Sequence, residues 1–172
     1  MPGQSERRRR LIKELQAHPD PIRGEDLARL LGVTRQVVVH EVALLRAAGI
    51  AVESTPRGYY LPSDQGPPHR TVLAVRHEPS QTHDELYAMV DHGLTVENVA
   101  VEHPVYGVLE GGLHLRSRSD VDQFLQAVRD HDAGLLSVLT QGCHLHTVSY
   151  YNARDLDAAV EALRAKSIEV FD

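Results

Sequence analysis

Gly24-Glu25-Asp26-Leu27-Ala28-Arg29-Leu30-Leu31-Gly32-Val33-Thr34-Arg35-Gln36 decides how the first third of the chain is read. Leu27, Leu30 and Leu31 recur at helical spacing behind two acidic residues that favour a helix N-terminus, and Gly32 stops the helix. Thr34 then caps a further helix in which Val38, Val42 and Leu45 share a face and Gly49 supplies the stop. Upstream, Leu11, Ile12 and Leu15 lie on one face of an earlier helix that Pro19-Asp20-Pro21 ends. Downstream, Ile50 to Ser54 and Tyr59 to Leu61 flank Thr55-Pro56-Arg57-Gly58 and read as a two-stranded hairpin. The expectation for residues 1–62 is three helices and a wing.

Two helices joined by a short glycine-containing turn, the second opened by a capping hydroxyl, is the geometry that lets a helix enter a DNA major groove. Thr34, Arg35, Gln36, Val39 and His40 project from the start of the third helix, because Val38 and Val42 turn to the core. Arg pairs bidentately with guanine and Gln with adenine, while Thr34 and the free backbone N–H groups suit a phosphate. Arg57 at the wing tip reaches a neighbouring phosphate or the minor groove. The competing reading of the same elements is a protein-binding or dimerisation module with solvated arginines.

Pro62-Ser63-Asp64-Gln65-Gly66-Pro67-Pro68 replaces hydrophobic periodicity with turn residues, so residues 63–69 are read as a linker. Charge changes at the same place. The formal charge of the 172 residues is −6, but residues 1–62 hold ten Lys plus Arg against seven Asp plus Glu, whereas residues 63–172 hold eight against seventeen. A basic head of +3 is therefore joined to an acidic body of −9, and the whole-chain sum carries no evidence against DNA binding. Nine of the eleven histidines lie in the acidic body. The single cysteine, Cys143, excludes an intramolecular disulfide framework and a Cys-based structural zinc site, and is read as a core residue. Lys13, Glu14 and Gln16 interrupt the apolar stretch behind Arg7 to Arg10, and no run of about 18 apolar residues exists to span a bilayer. A cytoplasmic protein without a membrane partner is expected.

In residues 70–172 strand and helix patterns alternate. Thr71 to His77, Val96 to Glu102, Val108 to Leu115 and His144 to Tyr150 read as strands, with Ile168 to Phe171 as a closing one. Thr82 to His92, Ser119 to His131 and Arg154 to Lys166 read as helices. One strand pair is joined by a short turn, which implies an antiparallel element and an α+β sandwich. His144 and His146 stand at i and i+2 of a strand, hence on one face about 6.7 Å apart by strand rise. With His77 at a strand end and Glu85 in the first turn of the next helix, three imidazoles and a carboxylate can meet, a donor set suited to Zn, Ni, Co or Fe(II). Two plainer readings stand beside this one. Glu85 is three residues after Thr82, the spacing of a capping box, and an H-x-H pair on a strand is also met as a hydrogen-bonded surface pair. His69, His83, His92, His114 and His131 are read as solvated.

The segment from Gly24 to Gln36, continued by Leu44-Leu45-Arg46-Ala47-Ala48-Gly49-Ile50 and Arg57-Gly58-Tyr59-Tyr60-Leu61, resembles the winged helix-turn-helix domain of biotin-repressor type. It departs from that pattern at the apolar Val37 and Val39 and at His40. His77 with Glu85, Val101-Glu102-His103-Pro104-Val105-Tyr106-Gly107 and Gly142-Cys143-His144-Leu145-His146-Thr147 look like the 3H domain of the niacin-responsive repressors. The resemblance implies an HPr-like two-layer α/β sandwich over residues 70–172, carrying effector binding and dimerisation, with helices on one side of a mainly antiparallel sheet. It implies one divalent transition metal per subunit on His77, Glu85, His144 and His146. It also implies a non-enzymatic homodimer repressing genes of NAD biosynthesis or niacin uptake on double-stranded operator DNA, with nicotinic acid as co-repressor. Two reading helices would then enter successive major grooves about 34–36 Å apart. His103 either structures the turn before Gly107 or, with Tyr106, lines the effector pocket. Rival readings keep the architecture but make the metal or another pyridine carboxylate the effector, or make the donor set a metal-dependent enzyme's.

Overall fold

The computed structural model describes residues 4–63 and 66–171, so Asp64 and Gln65 of the expected linker lie outside the described residues. The chain divides into two compact units, residues 1–66 and 67–172.

In the first unit, α1 (Gln4–Ala17), α2 (Gly24–Leu31) and α3 (Arg35–Ala47) precede β1 (Glu53–Thr55) and β2 (Gly58–Tyr60). Leu11, Leu15, Leu27, Leu31, Val38, Val42 and Leu45 form its core. Gly32 ends α2 in the left-handed region at φ 67°, and Thr34 Oγ1 accepts from Val37 N at the start of α3. The wing is shorter than its sequence pattern, since Ile50 to Val52 lie outside β1. It gains instead a bridge to the loop after α1, with Ile22 and Tyr59 exchanging backbone hydrogen bonds of 2.8 and 2.9 Å. That approach explains Gly58, because a Cβ there would stand 2.0 Å from the Ile22 carbonyl oxygen.

The second unit runs β3 (His69–Arg76), α4 (Thr82–Asp91), β4 (Thr95–His103), β5 (Gly107–Leu115), α5 (Arg118–Asp130), β6 (Cys143–Tyr150), α6 (Ala153–Ala165) and β7 (Glu169–Phe171). Its strands form one sheet in the order β5-β4-β6-β3-β7, antiparallel throughout. Leu73, Val75, Val96, Leu113, Leu115 and Val148 pack with Leu86, Met89, Val121, Ala159 and Leu163 in a single core, so the three helices cover one face. Among the described residues of this unit, no helix packs on the sheet's other face.

That uncovered face corrects the reading of Cys143. Strand alternation does place it opposite His144, but the opposite side is not core, and Cys143 is exposed. The expected linker is shorter too, since His69 already belongs to β3. Between α5 and β6 the sequence pattern shows no element, yet Leu136–Thr140 forms a 3-10 segment leading to Gly142. The capping box sits one turn earlier than Thr82–Glu85, on Glu78 and Gln81, so Glu85 is not engaged as a cap. Of the histidines expected in solvent, His69, His83 and His131 are exposed, whereas His92 is half-buried with Nδ1 2.7 Å from Ala88 O and His114 is half-buried at φ 51°.

Candidate functional site

α3 carries the groove-entering face. Arg35, Gln36, Val39 and His40 are all exposed, beside the exposed cap Thr34, while Val38 and Val42 are buried behind them. Val37 is half-buried, which accounts for one of the two apolar departures noted in sequence. Arg57 stands in the β1–β2 turn but is half-buried, with Nε out of solvent contact, so it projects less freely than a wing-tip position implies. Sequence reasoning missed Glu41. This carboxylate is 1% exposed on the inner face of α3 and holds Arg7 Nη1 at 3.4 Å and Arg8 Nε at 3.2 Å. Half of the arginine run at the start of α1 is thereby occupied in docking α1 onto α3.

In the second unit the sheet and α4 bring His77, Glu85, His144 and His146 together. His77 follows the last residue of β3, Glu85 occupies the first turn of α4, and the other two point from β6 to the helix side. All four are buried. Glu85 Oε2 lies 2.8 Å from His77 Nε2, and Glu85 Oε1 lies 3.0 Å from His144 Nε2 and 3.2 Å from His146 Nε2. The two strand histidines face each other at 3.2 Å between Nε2 atoms.

The backbone fixes how the three rings present themselves. His77 Nδ1 is 2.7 Å from Glu78 O, His144 Nδ1 2.9 Å from Gly142 O, and His146 Nδ1 2.7 Å from Asn98 O. A carbonyl only accepts, so each Nδ1 carries the proton and, in the neutral ring, each Nε2 turns a lone pair toward Glu85. His77 Nε2 is buried and stands near the carboxylate without hydrogen-bond geometry. Two facing lone pairs, a third nearby and a carboxylate form a cluster of acceptors that a shared cation stabilises. Three imidazole nitrogens and one carboxylate oxygen are a donor set that a divalent transition metal accepts.

With protons as the only cations, the same geometry shifts the titrations. Burial opposes ionisation of Glu85, but the charge of His146 and the close approach of the His144, His146 and His77 rings outweigh it and hold the carboxyl well below its usual range. Burial likewise opposes protonation of His77 and His146. For both, the Glu85 carboxylate prevails, helped by the carbonyls of Glu78 and Asn98 respectively, and their pKa values are raised.

Beside the cluster lies a cavity of about 240 Å³. Glu85, His144 and His146 form its polar end, and Leu86, Val99, Leu113, Phe124, Val128 and Leu135 its apolar walls. Among the described residues, the other side chains with oxygen on its wall are Thr82 and Ser137. His103 and Tyr106 are not on that wall. The structure places them at the β4–β5 turn, where His103 Nδ1 accepts from Val105 N at 3.2 Å and Tyr106 N at 3.3 Å, and Tyr106 is 73% exposed. His103 therefore structures the turn, and neither it nor Tyr106 lines the cavity beside the histidine cluster.

Asn98 and Gly142 escaped the sequence reading because each holds its histidine through a main-chain carbonyl. Asn98 lies in the irregular stretch of β4 between Val96 and Ala100. Its carbonyl holds His146, its Oδ1 accepts from Thr147 N at 2.8 Å and its Nδ2 donates to Glu110 at 2.6 Å. Gly142, at φ 86°, donates its N–H to Ser137 O while its carbonyl serves His144 and His77 N. No side-chain motif announces a carbonyl in this role.

A helix-turn-helix unit followed by a 3H-type sandwich with a buried histidine cluster defines a class of DNA-binding regulator. The model of the HTH domain matches residues 7–60 and that of the 3H domain residues 70–171. The chain is 34% identical over 169 residues to the transcription repressor NadR of Bacillus subtilis (strain 168), covering 96% of this chain and 94% of that protein. It is 34% identical over 161 residues to the probable transcription repressor NiaR of Thermotoga maritima, covering 94% and 91%. The chain belongs to this family of 3H-domain transcription repressors, and is a DNA-binding regulator rather than an enzyme. No helix among the described residues is long and apolar enough to cross a membrane.

Proposed function

We propose that the chain is a homodimeric, cytoplasmic repressor of NAD-biosynthesis or niacin-uptake genes, with nicotinic acid as co-repressor and a divalent transition metal, Zn, Ni, Co or Fe(II), on His77, Glu85, His144 and His146. The observation that carries the reading is that Glu85, His144 and His146 of that cluster line a cavity whose other walls are mostly apolar. A metal held there by His77, Glu85, His144 and His146 would supply positive charge beside the cavity.

The protein's own residues account for the rest. Ionised Glu85 at the cavity wall repels a second carboxylate, and a divalent metal compensates that charge more fully than protons on His77 and His146 do, which ties effector binding to metal binding. Phe124, Leu86 and Leu113 bury the faces of a pyridine ring, while Ser137 offers its hydroxyl to the carboxylate, the Thr82 hydroxyl being engaged with Pro79 O at 2.9 Å. On the DNA side, Arg35 and Gln36 read base edges, Val39 contacts a thymine methyl, and Thr34, His40 and Arg57 meet the backbone. Nicotinate raises operator affinity only to the extent that the DNA-competent dimer binds it more tightly.

Fluorescence anisotropy of an operator duplex at fixed salt tests this. Affinity rises with nicotinate in the metal-loaded protein, and the response disappears after chelation; an affinity indifferent to nicotinate in the loaded protein rules the co-repressor out. Elemental analysis of a His144→Ala, His146→Ala double variant shows loss of the metal. Retention of wild-type metal content would place the metal elsewhere.

A further inference from the structure

Asn98 stands where the sheet departs from regular pairing on both of its sides. Toward β6, Glu97, Asn98 and Val99 lie between the pairs Val96 with Val148 and Ala100 with Leu145, so three residues face only His146 and Thr147. Toward β5 the excess is reversed. Glu97 alone lies between the pairs Val96 with Leu115 and Asn98 with Gly112, opposite Leu113 and a His114 at φ 51°. An extra residue of this kind is left unpaired and locally disrupts the ladder, which releases the Asn98 carbonyl to His146 Nδ1 at 2.7 Å. The side chain of Asn98 then supplies what the ladder lost, its Oδ1 accepting from Thr147 N at 2.8 Å. A backbone N–H only donates, so that bond fixes which way the amide lies and turns Nδ2 toward β5. There Nδ2 donates to Glu110 Oε1 at 2.6 Å.

Glu110 is exposed and Asn98 is buried. The carboxylate reaches the amide diagonally, because Gly112, directly opposite Asn98, puts no side chain between them. Among the described residues Glu110 pairs with no cation, and Asn98 is its hydrogen-bond partner. We propose that Glu110 and Asn98 are positioning residues for the metal site. The exposed carboxylate on β5 holds the Asn98 amide, Asn98 grips β6 at the consecutive residues His146 and Thr147, and the grip aims His146 Nε2 at the cluster. Because β4 lies between β5 and β6, Glu110 acts on a buried ligand from two strands away. A ring held at Nδ1 presents Nε2 in one tautomer and one direction, so loosening the hold weakens metal binding beyond any effect on the fold. This inference rests on the reading of His77, Glu85, His144 and His146 as metal ligands.

Zinc affinity of the full chain, measured by competition with a chromophoric chelator, tests it beside the visible spectrum of the cobalt(II)-loaded protein and urea melts of the metal-free one. Asn98→Ala removes the buried link, and Glu110→Ala removes only an exposed side chain. Partners behind a metal ligand are typically worth about 10–100-fold in affinity, so Asn98→Ala should fall in that range and Glu110→Ala should lose about threefold or more. Glu110→Gln keeps a carbonyl acceptor for Nδ2 and should restore the wild-type affinity. The cobalt spectrum of Glu110→Ala shifts while its metal-free melt matches the wild type's. Wild-type zinc affinity in Glu110→Ala, or a loss in Glu110→Gln as large as in Glu110→Ala, overturns the link from Glu110 through Asn98. Affinity that falls only in step with metal-free stability in every variant makes both residues supports of the fold and overturns it too. A wild-type zinc affinity that survives His144→Ala with His146→Ala places the metal elsewhere, and overturns the metal reading together with this inference.

Discussion

Gly142 bears on more of the histidine cluster than any side chain outside it. Its carbonyl serves two of the three histidine segments, and a Cβ on it would stand 2.1 Å from His77 O in a left-handed backbone at φ 86°. Gly107 has a similar φ of 71° with nothing within 4 Å of that position. The two glycines therefore separate backbone strain from close approach. Gly107→Ala is expected to cost about 1 kcal/mol, the left-handed penalty alone, and Gly142→Ala roughly 2–4 kcal/mol with displacement of His77. Urea unfolding of the metal-free variants measures both, and equal costs would show that the approach to His77 relaxes freely. The four cluster residues were legible because strand and helix spacing, joined to a family resemblance, predicts where side chains point. Asn98 and Gly142 were not, since their contribution comes from carbonyls and a positive φ that no residue pattern encodes. His103 was ambiguous in sequence because an imidazole before a proline suits a turn acceptor and a ligand equally.

At the level of elements, α3 is used on two opposite faces. Its outer face carries Arg35, Gln36, Val39 and His40, and its inner face buries Glu41 against α1. Substitutions on the two faces should have separable effects. Arg35→Ala or Gln36→Ala is expected to lower operator affinity by about 1–3 kcal/mol and to relax discrimination at one base pair each, with stability unchanged. Arg57→Ala is expected to weaken binding to all sequences alike and to reduce the salt slope by about one unit. Glu41→Gln removes a buried acceptor of two guanidiniums, so it lowers unfolding stability by roughly 1–3 kcal/mol while affinity per folded molecule changes little. Anisotropy across a salt series, set beside urea melts of the same proteins, distinguishes these outcomes. Element order and the antiparallel hairpin were readable because apolar spacing reports which face is buried. Two things were not. The wing is short because Ile50 to Val52 are held by local bonds, Ile50 N to Leu45 O and Arg46 Nε to Val52 O, rather than by a ladder. The exposure of Cys143 follows from which sheet face the helices cover, and alternation alone gives only that there are two faces.

For the whole molecule, pH distinguishes protons from metal as the cation shared by the cluster. In the metal-free protein Glu85 has a folded pKa below its ordinary 4.5, so its contribution to stability is present above 4.5 and is lost as pH falls through the lower folded value. His77 and His146 have folded pKa values above 6.5, so theirs is fully present below 6.5 and is lost as pH rises through the raised values. The cluster thus stabilises the metal-free fold most between these limits and least on the alkaline side. A metal must displace the same protons, so its affinity and the stability it adds grow in the opposite direction. Calorimetric melts at pH 5.5, 6.5 and 8, with a divalent metal or with a chelator, should show a gap in Tm that widens with pH. The widening comes from a chelated form that loses stability and a metal form that does not. In the His144→Ala, His146→Ala variant the gap should close at every pH. A gap in the wild type that stays constant from pH 5.5 to 8 would mean that metal binds without displacing these protons, and hence away from the cluster.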